Sequence, residues 1–307
     1  HIYLGLAYEW EIYDKFTDQN DENWYLNTGI FWEFTKSTFF LKADYSTDTS
    51  GDVEEGALTR ETRVDLHSEF DRTISSKTSA SILFDLLHRD YPSDPTLIGY
   101  SDLSPAARFY YKLFPKADIF GEFAYGYVNR TGYDSYDDHY NTYSIGIRRE
   151  QTAKLDFEGK IGGQYRVSDE PGTTDKWHLT FYLKSVAKFS RLTTLTIHGG
   201  QFISPSSNNL NSDKTELWLE ALLDKKISDS DFYIDLSAKY RHLEWENIKD
   251  EDTYRKDDEY TFKIGGYYKF SPELKTGLSY QFRTDQSSID SYDFDDNQVT
   301  IYLNYSL

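Results

Sequence analysis

The sequence contains no cysteine among its 307 residues. That removes disulfide frameworks, thiolate metal sites and cysteine-linked lipid anchors. Methionine is also absent, and the chain opens at His1 inside a strand-like run. This is the expected look of a processed chain whose signal peptide lies outside this numbering. No stretch approaches the roughly 18 consecutive apolar residues of a spanning helix, and mean hydropathy is -0.70. Basic charge is scarce: 33 Lys and Arg stand against 52 Asp and Glu, a net charge of -19. Nucleic acid demands a basic face, so that class of partner is excluded.

What abounds is aromatic. The chain has 27 Tyr and 20 Phe, with an aromatic fraction of 17%, which is out of keeping with disorder. A transmembrane barrel reconciles this with the polar average. Only every second residue faces lipid, the lumen is polar, and Tyr, Trp and Phe collect at the two interfaces.

Periodicity points the same way. Short polar turns near Lys36, Ser75, Lys116, Gln151, Ser190, Asp229 and Pro272 recur about every 39 residues. Two long alternating segments fill each period. Tyr260, Phe262, Ile264 and Tyr268 share one face, while Thr261, Lys263, Tyr267 and Lys269 share the other. Leu217, Leu219 and Leu223 likewise oppose Glu216, Trp218 and Glu220, and Val299, Ile301, Leu303, Tyr305 and Leu307 share a face of the last segment. The segments run about 11–16 residues, against about 5–6 in soluble strands and about 9–11 for a membrane crossing. Length therefore favours the membrane. Phe34, Phe70, Phe114, Phe189 and Phe270 each precede a short turn, as an interfacial girdle would.

Longer acidic loops are expected on the opposite side, at Lys15–Asp21, Asp48–Ala57, Arg89–Ser104, Arg130–Tyr140, Val167–Thr174, Ser204–Ser212, Glu246–Lys256 and Asp285–Asp290. The prediction is one domain over 1–307: an all-β, transmembrane, antiparallel up-and-down barrel of about 16 strands (16–18), both termini periplasmic. A propeller would share the period but needs four short strands in each.

Chemistry-bearing clusters are few. Asp293-x-Asp295-x-Asn297 has calcium-loop spacing, but Gln298 stands where glycine is required and Asn304 where the bidentate glutamate belongs. A calcium hand is rejected; looser cation binding at Asp293, Asp295 and Asp296 competes with a solvated acidic rim. The histidines form no compact ligand spacing, and His139 is the one candidate for an outer-rim catalytic group. The chain reads as a non-enzyme with no cofactor.

The inward face carries more information. By parity its wall includes Arg63, Asp65 and Glu69, then Arg108, Glu122, Arg148, Lys160, Arg166 and Lys184. It continues through Trp218, Glu220, Lys239, Arg241, Lys263, Lys269, Lys275 and Arg283. Tyr110, Phe120, Tyr182, Tyr233 and Tyr267 point inward too. Charged groups beside aromatic rings suit a wet path for a sugar polymer, whereas a self-neutralising network would merely stiffen the barrel. The third and longest outer loop carries Pro92, Pro95, Leu97 and Tyr100, apolar enough to fold inward and narrow the pore.

The stretches Arg255–Thr261, Tyr268–Lys275 and Gly277–Asp285 resemble the β-barrel porin 2 family, as do Tyr292–Val299, Asp102–Pro105 and Phe189–Thr196. The resemblance covers most of the chain, although outer-membrane barrels commonly end on Phe or Trp and this sequence ends on Leu307. It implies an outer-membrane barrel linked to exopolysaccharide synthesis and secretion, with a periplasmic polysaccharide-export partner. It implies no catalytic residues. Surrounding outer-membrane lipid and lipopolysaccharide, the latter bridged to acidic loops by divalent cations, complete the expected partners. A general or sugar-selective diffusion porin is the alternative, and a closed barrel serving as adhesin or assembly scaffold the second.

Overall fold

Alternation gives each segment one apolar and one polar face, and in lipid every backbone group must find its partner inside the protein. A closed antiparallel sheet meets both demands. The structure, a computed structural model, describes residues 1–11, 21–52, 57–94, 97–131, 136–149, 154–169, 175–207, 213–228, 230–246, 255–271 and 274–306. The first quarter holds β1 (Ile2–Glu11), β2 (Asp21–Glu33), β3 (Ser37–Asp52) and β4 (Ala57–Thr73). Next come β5 (Thr78–Asp90), β6 (Gly99–Phe114), β7 (Ala117–Thr131) and β8 (Asp138–Arg149). Then follow β9 (Leu155–Ser168), β10 (Lys176–Ser190), β11 (Thr193–Pro205) and β12 (Asp213–Lys226). The last are β13 (Phe232–Glu246), β14 (Lys256–Lys269), β15 (Leu274–Ser287) and β16 (Phe294–Ser306).

These strands pair in chain order, and β1 closes on β16 from Gly5↔Ser306 to Trp10↔Ile301. The all-β up-and-down barrel expected from the sequence is thus the observed fold. The turn positions Gln151, Asp229 and Pro272 lie outside the described residues, as does Leu307.

Strands overrun the expected loops. β3 and β4 stay in register from Ser37↔Arg72 to Asp52↔Ala57, so the loop placed at Asp48–Ala57 shrinks. Likewise β6 begins at Gly99, β8 at Asp138, and β15 continues to Ser287. The reason is physical: beyond the lipid belt the outward face meets water, so a ladder continues without apolar residues on that face. Hydropathy marks the belt edge, not the strand end.

Faces follow parity. Along β7, Asp118, Phe120, Glu122, Val128 and Arg130 are buried inward while Ile119, Phe123 and Tyr125 are exposed outward. Outward Ile264 and Ile301 are 55% and 68% exposed, which marks a surface made for lipid. Phe34, Phe114, Phe189 and Phe270 stand exposed beside the short turns, and Trp24, Tyr143 and Trp177 toward the other edge. At Gly126 a Cβ would collide with the Tyr140 ring. Its absence lets Tyr140 lie flat on the wall and donate to Asp102 at 2.8 Å.

Candidate functional site

The inner wall is the site the fold builds. At the outer mouth, Tyr91, Leu97, Ile98 and Tyr100 are all buried. The Ile98 amide donates to the Ser207 carbonyl at 2.6 Å, linking the β5–β6 connection to the end of β11. Pro92 is exposed, and Pro95 lies outside the described residues.

β11 and β12 lean over this mouth. The β10–β11 register stops at Phe181↔Gln201, while β11 stays with β12 up to Pro205↔Asp213. Ile203 is buried although Leu179 on β10 is exposed. Asp213 reaches inward to Arg130 at 2.9 Å and Arg166 at 2.6 Å.

Arginines build the upper wall. Asp138 holds Arg130 at 2.5 Å and Arg166 at 3.2 Å, both guanidinium groups being almost wholly buried. Lower on the same side, Glu122 accepts from Arg108 and from Lys160, the latter at 2.6 Å. Arg108 lies over Phe120, and Arg148 over Tyr110 while also meeting Asp118. Across the barrel, Glu259 gathers Arg241 at 2.8 Å and Arg283 at 2.5 Å. Arg63 pairs with Asp65 at 2.6 Å, and Glu69 lies near His67. Glu220 meets His198 at 3.0 Å, whose ring stands edge-on to Trp218.

Five lysines behave differently. Lys184, Lys239, Lys263, Lys269 and Lys275 share the inward face with these networks, as their register partners show. Lys269 instead sits over the Tyr233 ring at 4.6 Å and Lys275 over Tyr267 at 5.4 Å. Those two rings are stacked, with centroids 4.7 Å apart and planes 3° from parallel.

The networks leave open space. A cavity of about 920 Å3 reaches from Tyr25 and Glu61 to Lys239, Lys263 and Thr300. A second, of about 650 Å3, lies between Asp102, Glu122, Tyr182 and Trp218. A third, of about 380 Å3, opens beside the short turns at Lys77, Lys112 and Arg148.

Two other sequence candidates are dispersed. His139 belongs to β8 rather than to a loop, because Asp138, fixed by its arginines, extends the strand past it. Its ring stacks on Tyr127 at 5.0 Å and its Nδ1 lies 2.9 Å from the Tyr125 hydroxyl, on the outward side. Asp293 accepts from the Ser287 amide, while neighbours Asp295 and Asp296 occupy opposite faces of β16, so the three do not converge.

Sequence reasoning missed Arg130, Asp138 and Asp213, which it assigned to loops or left aside. It also missed Arg255, which pairs with buried Asp257 at 2.6 Å and lies over Tyr292 at 3.6 Å. The available signal was parity carried outward: Arg130 continues the inward series of Glu122, and Asp138 that of Arg148.

No family model matches the sequence, and no curated protein matches it. Among solved structures, the chain is similar to CdiB from Acinetobacter baumannii, with 11% identity, TM-score 0.57, all of this chain and 60% of that one covered. The copper transporter OprC is similar at 10% identity and TM-score 0.50, covering all of this chain and 65% of that one. The CymD monoaromatic hydrocarbon channel follows with 10% identity, TM-score 0.46 and coverage of 99% and 87%. At these identities the likeness is one of fold: an outer-membrane-type β-barrel.

Proposed function

We propose that this chain is an outer-membrane pore for a secreted exopolysaccharide, acting with a periplasmic polysaccharide-export protein among outer-membrane lipid and lipopolysaccharide. The observation that carries the reading is the polar lumen, with its cavities of about 920 and 650 Å3, inside a wall whose outer face is apolar. Barrels of about 16–18 strands leave an aqueous channel, whereas about eight are filled by side chains. Tyr182, Trp218, Tyr233 and Tyr267 stand beside charged groups on that wall, an arrangement suited to pyranose faces and hydroxyls. The resemblance to the β-barrel porin 2 family supplies the export role and the partner. Bridging of the outer mouth at Ile98 and Ser207 supports a gate that limits leakage.

A diffusion porin is the second reading, favoured by wall charges of both signs. The deciding experiment measures secreted polysaccharide in a strain deleted for the gene, beside its complemented parent. Loss of extracellular polymer with retention in the periplasm is the expected result. Unchanged polymer with slower uptake of small sugars leaves the porin.

A further inference from the structure

Fixed charge changes character along the barrel axis. Toward the outer mouth, arginines are locked to carboxylates, as in Arg130–Asp138–Arg166 and Arg241–Glu259–Arg283. On the inner face of β10–β15, lysine replaces arginine toward the short turns. Among the described residues, Lys184, Lys188, Lys239, Lys263, Lys269 and Lys275 share the inward face and enter no ion pair.

Two of them are placed against their own interest. Lys269 and Lys275 are direct cross-strand partners on β14 and β15. Like charges opposite each other destabilise a ladder, yet among the described residues no carboxylate forms an ion pair with either lysine. Beside it lies the Tyr233–Tyr267 stack, and each ammonium rests on a ring. Six residues farther along β14, a rise of roughly 20 Å, Lys263 and its neighbour Lys239 line the cavity of about 920 Å3. Carboxylates thin this series at Lys184 and Lys239, which stand opposite Glu158 and Glu220, but not at its Lys269–Lys275 end. Asp224 accepts from the Tyr267 hydroxyl at 2.9 Å, and Asp235 lies at the height of Gly265, between the two lysine levels.

We propose that the β13–β15 wall is a track for a linear acidic polysaccharide, its carboxylates on the lysines and a sugar face on Tyr233 and Tyr267. The proposal rests on the export reading and names its substrate class. Lysine suits such a track because its ammonium is a mobile point charge that can hand an anion onward, whereas a forked guanidinium holds it. The lysines begin at the short-turn end, while the outer loops are acidic. A polyanion is thus gathered at the periplasmic mouth and repelled from re-entering at the other.

The test is calorimetric binding of hexagalacturonate and of neutral maltohexaose to the full chain in detergent, at low and high salt. Hexagalacturonate is expected to bind, to weaken with salt, and to bind at least about tenfold less well to the Lys263→Gln/Lys269→Gln/Lys275→Gln variant. A Lys36→Gln/Lys116→Gln variant, altered only in the turns, should bind as the parent does. Strand circular dichroism verifies that each variant is folded. Unchanged affinity in the triple variant, or equal binding of linear polyphosphate at matched charge, overturns the track. Equal binding of maltohexaose overturns acidity while leaving the export reading in place. If neither sugar binds and the deletion strain still secretes polymer, the export reading falls with it.

Discussion

The Ile98 amide and the Ser207 carbonyl, 2.6 Å apart, tie the β5–β6 connection to the far end of β11. Both residues are buried, so this bond is shielded from competing water. Ile98→Pro deletes the donor. One backbone hydrogen bond is worth about 0.5–1.5 kcal/mol net, so the bridge should open up to about tenfold more often. Higher single-channel conductance in planar bilayers, with the strand spectrum unchanged, is the expected outcome. Identical conductance would mean that the bridge does not limit flow.

The two faces of the sheet should answer charge differently. Leu219→Arg or Ile264→Arg puts a cation into lipid and should cost about 2–4 kcal/mol near the midplane. Lys263→Glu or Lys269→Glu, on the wet side, should fold normally and shift ion selectivity toward cations. Urea unfolding in vesicles and reversal potentials measure the two effects. Equal destabilisation of both sets would refute the face assignment.

Asp138 is nearly inaccessible and serves two guanidinium groups. Breaking a buried pair by removing one partner typically costs about 3–5 kcal/mol. Asp213 also reaches both arginines, so Asp138→Asn should fall at or below the lower end of that range. The double variant with Asp213→Asn should lose more than the sum of the single losses, because both arginines are then stranded. Additive losses in a double-mutant cycle would show that the carboxylates act independently.

Asp137 lies just outside β8, in the outer connection. Slight burial pushes its carboxyl up, but bonds from the Tyr127 hydroxyl at 2.5 Å, the Arg130 amide and Asn129 outweigh it and hold the group below the usual carboxylate range. The folded group is more acidic than the unfolded one. Its contribution to local order is therefore complete above about pH 4 and disappears as pH falls through the folded-state value. Amide exchange at Arg130 should stay slow down to weak acid and accelerate below it. In Asp137→Asn that acid-induced step should vanish; its persistence would assign the step to another group.

Much of this architecture is legible in the amino-acid order. Period-two alternation in stretches such as Tyr260–Phe270 sets strand, face and barrel together, because lipid accepts only one side. The aromatics before the turns locate the membrane edge. Strand ends are not legible: outside the belt the apolar rule lapses, and Asp138 or Asp285 in a strand looks like Asp138 or Asp285 in a loop. The division of labour on the inner wall is hidden for another reason. Sequence parity places Arg241 and Lys263 on the same face, but only the pairing of strands brings Glu259 between Arg241 and Arg283 and leaves Lys263 opposite Gln281.

The long ladder of β3 and β4 has a further consequence. Among the described side chains, the last outward apolar ones are Tyr45 and Val64, yet pairing persists to Asp52 and Ala57. Seven more residues of hydrogen-bonded sheet, roughly 20 Å along the strand before tilt, stand clear of the lipid on that side. The opening is therefore the rim of a stiff chimney, its outline fixed by backbone ladders.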